Sequence, residues 1–181
     1  LLADEMGVGK TVQTITALRA LHAWPALVVC PNSVKSVWVR EFFRWGPEVQ
    51  VLVITGGPAG RRKAINALAE SASEGAPCAA IINWEALSLH TRIAGFGDIR
   101  LTDAEREEKE LNKISWSAVV ADEAHRAKEP RSKQTRALWG VSRKAQHRFA
   151  LTGTPIANAP EDLWSIMHFV SPEEWAGKTQ W

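Results

Sequence analysis

Five short apolar runs recur along the chain, at Ala26 to Cys30, Val49 to Thr55, Cys78 to Trp84, Ala118 to Asp122 and Arg148 to Thr152. Most are continuous rather than alternating, the pattern of strands buried on both faces. Between them the period changes. Thr11 to His22 carries Val12, Ile15, Leu18 and Leu21, and Ser33 to Trp45 sets Val34, Val37, Trp38, Phe42 and Trp45 along one stripe, so both stretches predict amphipathic helices. Strand followed by helix, repeated, predicts an α/β domain with a mostly parallel sheet, helices on both faces and right-handed crossovers. One stretch stands apart. Thr102 to Lys113 holds five acids and three bases behind a Gly-containing loop at Gly95 to Gly97, and is expected to be a solvated helical insertion. No internal repeat or low-complexity linker divides the chain, so one domain over residues 1–181 is the simplest partition.

Composition excludes several classes. At 181 residues, 45% hydrophobic and 23% charged, the chain is neither a disordered tail nor a fibre. No apolar run is long enough for a membrane span and no basic-then-apolar leader opens the sequence, so a soluble intracellular protein is expected. Cys30 and Cys78 lie in apolar runs and read as buried free thiols, not as a metal pair. A net charge of +2 does not announce nucleic acid, but residues 126–148 hold eight bases against one acid, Glu129, a localised basic stretch. The chain starts at Leu1-Leu2 without an initiator methionine and stops at Trp181, which suggests a piece of a longer protein.

Asp4-Glu5-Met6-Gly7-Val8-Gly9-Lys10-Thr11 follows a short apolar start and opens a helical stretch, the context of a phosphate-binding loop. Gly7 and Gly9, with Val8 between them, let backbone N–H groups close on phosphate oxygens, and the following helix adds its positive end. Lys10 would reach the β- and γ-phosphates of ATP, and Thr11 would ligate Mg2+. The general motif asks for glycine at position 4, where this chain has Asp4.

A second group of residues follows downstream. Ala118 to Ala121 runs into Asp122-Glu123-Ala124-His125, two acids at the C-terminal end of a buried strand, where open α/β sheets bind ligands. Asp122 would hold magnesium and Glu123 would orient and deprotonate a water. Such a pair also serves simply as a helix N-cap. Thr152 and Thr154, in Leu151-Thr152-Gly153-Thr154-Pro155, could hydrogen-bond His125 or the γ-phosphate surroundings, although this sequence is good turn chemistry in itself.

Taken in order, LLADEMGVGKTVQ, LVVCPNSVKSVWVREFFRW, IINWEAL, VVADEAHRAKEPRSK and FALTGTPIANAPEDLWSIMHFVSP resemble the first motor lobe of the Swi/Snf-like ATPases, helicase-related translocases of superfamily two with a DEAH box. The resemblance covers nearly all of the chain, and in that family Asp4 and Glu5 are the usual residues ahead of the loop. It implies a three-layer RecA-like P-loop fold and an ATP-driven motor that tracks on double-stranded DNA and remodels protein–DNA complexes. It also implies a second RecA-like lobe of the same polypeptide, supplying the other half of the ATP cleft, so that this lobe alone hydrolyses poorly. The strand ahead of the loop is expected to be cut short, with weak nucleotide affinity and reduced stability.

By position, the resemblance implies that Gln13 lies close to the nucleotide and that His125, Thr152 and Thr154 couple hydrolysis to lobe movement. Ser33, Lys35, Lys128, Arg131 and Lys133 are implied as DNA phosphate contacts, independent of base sequence. Trp38, Trp45, Trp84 and Trp164 fall on apolar stripes and are expected to pack rather than stack on bases. Two positions depart from the family pattern: Trp84 replaces a common tyrosine, and Ala157 a common glutamine before Asn158. A restriction-enzyme or RNA-helicase motor and a non-hydrolysing scaffold are the alternatives. Thr-Gly-Thr-Pro counts against the RNA helicases, and intact Lys10, Thr11, Asp122 and Glu123 count against the scaffold. The alanine-rich composition without tyrosine suggests a bacterial or phage cytoplasm or nucleoid; a eukaryotic source would place the protein in the nucleus.

Overall fold

A computed structural model describes residues 1–156 and 160–175. Its centre is a five-stranded, all-parallel sheet of β1 (Ala26–Cys30), β2 (Gln50–Val53), β3 (Cys78–Asn83), β4 (Ala118–Asp122) and β5 (His147–Leu151), in the order β2-β3-β1-β4-β5. Every apolar run of the sequence became a strand, with ends shifted by at most a few residues. Leu2 adds the start of a sixth position. It bridges Leu151 in parallel, donating its N–H to the Ala150 carbonyl (2.8 Å) and accepting from Thr152 N (3.1 Å).

The continuous apolar runs serve two cores at once, because alternate side chains leave a strand on opposite faces. Val28 and Cys30 of β1, Ala79 and Ile81 of β3 and Val120 of β4 meet Ile15 and Leu18 of α1 (Lys10–Ala20) and Trp38 and Phe42 of α2 (Lys35–Trp45). Leu27, Val29, Ala80, Ile82 and Val119 point the other way, into a larger core with α3 (Pro58–Ser73), α4 (Trp84–His90), α6 (Lys133–Ser142) and α7 (Glu161–Val170). The result is the expected three-layer, RecA-like arrangement. Among the described residues no helix is long and apolar enough to cross a membrane.

Four expectations need correction. Thr102 to Lys113 is not one helix: a single turn, α5 (Asp103–Arg106), sits in a capping box between Thr102 and Glu105, and a separate 3-10 turn spans Glu110–Lys113. Extended backbone at Glu107 breaks the two apart, and Leu111 is pulled fully into the larger core while Asn112 ties the segment to Arg92 N and Thr91 Oγ1. The stripe on α1 ends before Leu21, which is half exposed, and that on α2 ends before Trp45, which packs on its own helix. Its indole donates to Glu41 Oε2 (3.1 Å) and the Arg44 guanidinium lies 5.2 Å over its ring. The other three tryptophans are buried as expected.

The basic stretch, finally, is not one surface. Arg136 is buried with Nε donating to the Ala94 carbonyl (2.8 Å), and Arg148 Nε donates to the Ser142 carbonyl (3.2 Å). Helical geometry turns successive bases to different sides, so a run of charge in sequence need not be a patch. Gly140 explains the close approach here: a Cβ on it would stand 2.4 Å from the Arg92 carbonyl oxygen, so α6 lies almost directly on the 92–94 backbone.

Candidate active site

The C-terminal ends of β1, β3, β4 and β5 open on one rim, with the loop before α1 beside them. That loop turns through Gly7 and Gly9, both at positive φ (84° and 88°), a region costly to any residue with a Cβ. Lys10 begins the helix and folds back, its ammonium donating to the carbonyls of Asp4 (2.7 Å) and Glu5 (2.8 Å). Gln13 Nε2 donates to the Val8 carbonyl (3.3 Å), so it braces the loop from the next helical turn.

Gly7, Gly9, Lys10 and Thr11 line a cleft of about 540 Å³ together with Asp122 and Glu123 across the rim and Trp38, Arg40 and Glu41 of α2. Asp122 is held firmly. Its Oδ2 accepts from Trp38 Nε1 (2.8 Å), its Oδ1 from the Glu123 backbone N–H (3.0 Å), and its main-chain carbonyl from Trp84 Nε1 (3.0 Å). Burial pushes its carboxyl above the ordinary value, and the neighbouring Glu123 charge adds to this, while the Trp38 bond and the Lys10 charge pull it back. Glu123 stands at φ 54°, ψ 50°, a left-handed conformation that breaks the strand and turns the next residues away from it. Strain of this kind in a non-glycine residue concentrates at functional sites.

His125 Nδ1 lies 3.2 Å from Glu123 Oε2 and 3.3 Å from Thr152 Oγ1. One nitrogen cannot serve both equally: protonated, it donates to the carboxylate; unprotonated, it accepts the threonine hydroxyl proton. Thr152 Oγ1 also accepts from Thr154 N (3.1 Å), which shapes the 152–154 loop. Gly153 backs onto the phosphate loop so tightly that a Cβ would come within 3.1 Å of Met6 Cγ. His125 and Thr152 are thus brought together next to Glu123 at the edge of the cleft, while Thr154 joins them only through its backbone N and its side chain is exposed.

The five implied DNA contacts divide. Ser33, Arg131 and Lys133 are exposed, with Lys133 3.3 Å from Glu105. Lys128 is half-buried, 3.6 Å from Asp162. Lys35 points inward: it is 7% exposed and its ammonium donates to the Ile54 carbonyl (3.0 Å) and Asn83 Oδ1 (2.7 Å), so it is not presented to a phosphate. Sequence reasoning also missed a chain of contacts continuing from it. Asn83 Nδ2 donates to Glu85 Oε2 (2.8 Å), Glu85 pairs with Arg126 (2.6 Å), and Arg126 lies 5.9 Å over the Trp84 ring. Only the parallel register, which sets Asn83 beside Cys30 at the rim, brings these together. Ala157 and Asn158 lie outside the described residues.

The donor set suits the expected ligands. Among the described residues no cluster of three or more His, Cys, Asp or Glu side chains could hold a metal alone. One hydroxyl and one carboxylate on a phosphate cleft match the way Mg2+ is held, by few protein oxygens plus phosphates and water.

Comparison with known proteins places the chain in a family. The profile of the SNF2-related domain matches residues 1–181. Protein CHROMATIN REMODELING 19 of Arabidopsis thaliana is 34% identical over 96% of the chain, and Transcription regulatory protein SNF2 of Saccharomyces cerevisiae is 34% identical over 96%. The chain spans 22% and 9% of their respective lengths. The SWI2/SNF2 ATPase core of Sulfolobus solfataricus, solved in complex with dsDNA, superposes with a TM-score of 0.70 at 30% identity, covering 99% of this chain and 34% of that one. Matched by that profile from its first residue to its last, and with a parallel sheet that superposes on the SWI2/SNF2 core, the chain belongs to the family of SNF2-related domains.

Proposed function

We propose that the chain is the ATP-binding first lobe of a DNA-dependent ATPase, an enzyme that moves on double-stranded DNA and remodels protein–DNA complexes inside the cell together with a second lobe of the same polypeptide. The observation that carries this reading is the single cleft lined by Gly7, Gly9, Lys10, Thr11, Asp122 and Glu123. Duplex DNA as the track is supported by the dsDNA in the Sulfolobus solfataricus complex and by the names of the remodelling relatives.

In this reading Gly7, Val8 and Gly9 offer backbone N–H groups to the phosphates, and the Lys10 ammonium exchanges the Asp4 and Glu5 carbonyls for β- and γ-phosphate oxygens. Thr11 and Asp122 hold Mg2+, which when bound neutralises charge on the transferred phosphoryl group. Glu123 orients the attacking water and takes its proton. His125, hydrogen-bonding alternately to Glu123 and Thr152, conveys the state of that carboxylate to the 152–154 loop. Ser33, Arg131 and Lys133 contact DNA phosphates, and Lys128 joins them by leaving Asp162.

The test is steady-state ATP turnover of the full polypeptide, alone and with duplex DNA, single-stranded DNA or RNA. Stimulation mainly by duplex DNA is expected, with Lys10→Ala weakening ATP binding and Glu123→Gln binding ATP but turning over at least about 100-fold more slowly. Stimulation mainly by RNA would assign the lobe to a helicase motor instead. Turnover no higher than that of Glu123→Gln under every condition would make it a nucleotide-binding scaffold.

A further inference from the structure

Two indole N–H groups converge on Asp122 from opposite sides of β4. Trp38 comes from α2 and ends on the carboxylate; Trp84 opens α4 and ends on the main-chain carbonyl. Both rings are buried, at 1% and 0% exposure. A buried indole N–H usually finds an acceptor. For Trp38 it is the side chain that the proposed function assigns to magnesium.

The arrangement fixes the carboxylate without consuming it. Trp38 takes one position on Oδ2 and the Glu123 N–H one on Oδ1, so rotation about the Asp122 side chain is arrested while each oxygen keeps a further lone pair for the cleft. Trp84 holds the backbone from which that side chain springs, and Arg126 covers the ring while paired to Glu85.

We propose that Trp38 is a positioning residue that fixes the Asp122 carboxylate in the orientation that receives magnesium, with Trp84 securing the backbone beneath it. This rests on the cleft being an ATP and magnesium site. Orienting partners of metal-binding groups are worth about 10- to 100-fold in metal affinity.

The test titrates magnesium into the full polypeptide with a fluorescent ATP analogue. Trp38→Phe keeps an aromatic ring and deletes the donor. The magnesium concentration at which nucleotide binding tightens by half should rise about tenfold, with the magnesium requirement of turnover rising in parallel. Affinity for the analogue without magnesium should fall by much less than the magnesium midpoint moves, even though the Trp38 ring also lines the cleft. Phe42→Leu controls for packing, since Phe42 lies 6.0 Å from the Trp38 ring in the same core but bonds nothing on Asp122. If Trp38→Phe does not fold, benzothienylalanine at position 38 keeps the ring shape without the N–H. An unchanged magnesium midpoint, or an equal shift in Phe42→Leu, overturns the proposal. Wild-type nucleotide binding that ignores magnesium would overturn the reading of the cleft instead.

Discussion

His125 Nδ1 stands 3.3 Å from the Thr152 hydroxyl, at the ends of β4 and β5, and the same nitrogen is within 3.2 Å of Glu123. The imidazole therefore reports on two loops with one atom. Thr152→Val keeps the shape of a residue that is 1% exposed but removes the hydroxyl that His125 and Thr154 N share. Turnover of the full polypeptide should fall about tenfold, the loss of roughly one buried hydrogen bond, while binding of a fluorescent nucleotide is unchanged. Equal loss in both measurements would mean that the hydroxyl only supports the loop.

Exposure separates Arg131 and Lys133 from Lys35. Arg131→Ala with Lys133→Ala should weaken duplex binding and lower the salt slope by about 2, without moving the melting temperature. Lys35→Met should do the reverse, destabilising by about 1–3 kcal/mol because it leaves the Ile54 carbonyl and Asn83 Oδ1 without their donor. DNA titrations at several salt concentrations and thermal unfolding distinguish the two.

The Asn83 hydrogen bond and then Arg126 hold the Glu85 carboxyl at about 2, against an ordinary 4.5, in spite of the opposing effect of partial burial. The folded value is below the unfolded one, so this carboxylate adds stability above about pH 4.5 and the contribution is lost as pH falls towards 2. Glu85→Gln should melt slightly lower than wild type near neutrality, by less than about 1 kcal/mol since the site is half exposed, and the difference should vanish in acid. Melting curves across that range check the sign.

Alanine at position 140 should be harmful even though α6 would gain helix propensity. The Cβ needs space that the Arg92 carbonyl occupies at 2.4 Å, and a backbone carbonyl cannot swing aside as a flexible side chain could. A loss of about 2–3 kcal/mol in chemical denaturation is expected.

Burial pushes the Cys30 thiol up to about 12 and raises Cys78 in the same direction. Cys30 sits beside Asn83 and Cys78 is at the other end of β3, roughly 16 Å away at the rise of a strand, so no disulfide can join them. Neither thiol should react with a thiol reagent until the protein unfolds, after which both should; counting modified cysteines by mass checks this.

The strands and the cleft were legible because continuous apolar runs and a lysine directly after a Gly-x-Gly turn follow from burial and phosphate chemistry alone. Lys35 was not. A lysine on the polar side of an amphipathic pattern reads as solvated, and nothing in its neighbourhood signals that Ile54, just past the end of β2, and Asn83, at the end of β3, will place two acceptors beneath it. Trp38 and Trp84 likewise sit on apolar stripes and read correctly as core; the atom each bonds depends on strand order, which periodicity does not encode. The broken 102–113 segment shows the same limit from the other side, since a single buried leucine outweighed a charged helical pattern.

Leu2 gives the clearest mechanical consequence. Its two backbone bonds join it to Ala150 and Thr152, and four residues separate it from Gly7. The phosphate loop and the 152–154 loop are therefore hung from adjacent threads of one cloth. A tug on either is felt by the other through the peptide lattice, without any side chain having to carry the message.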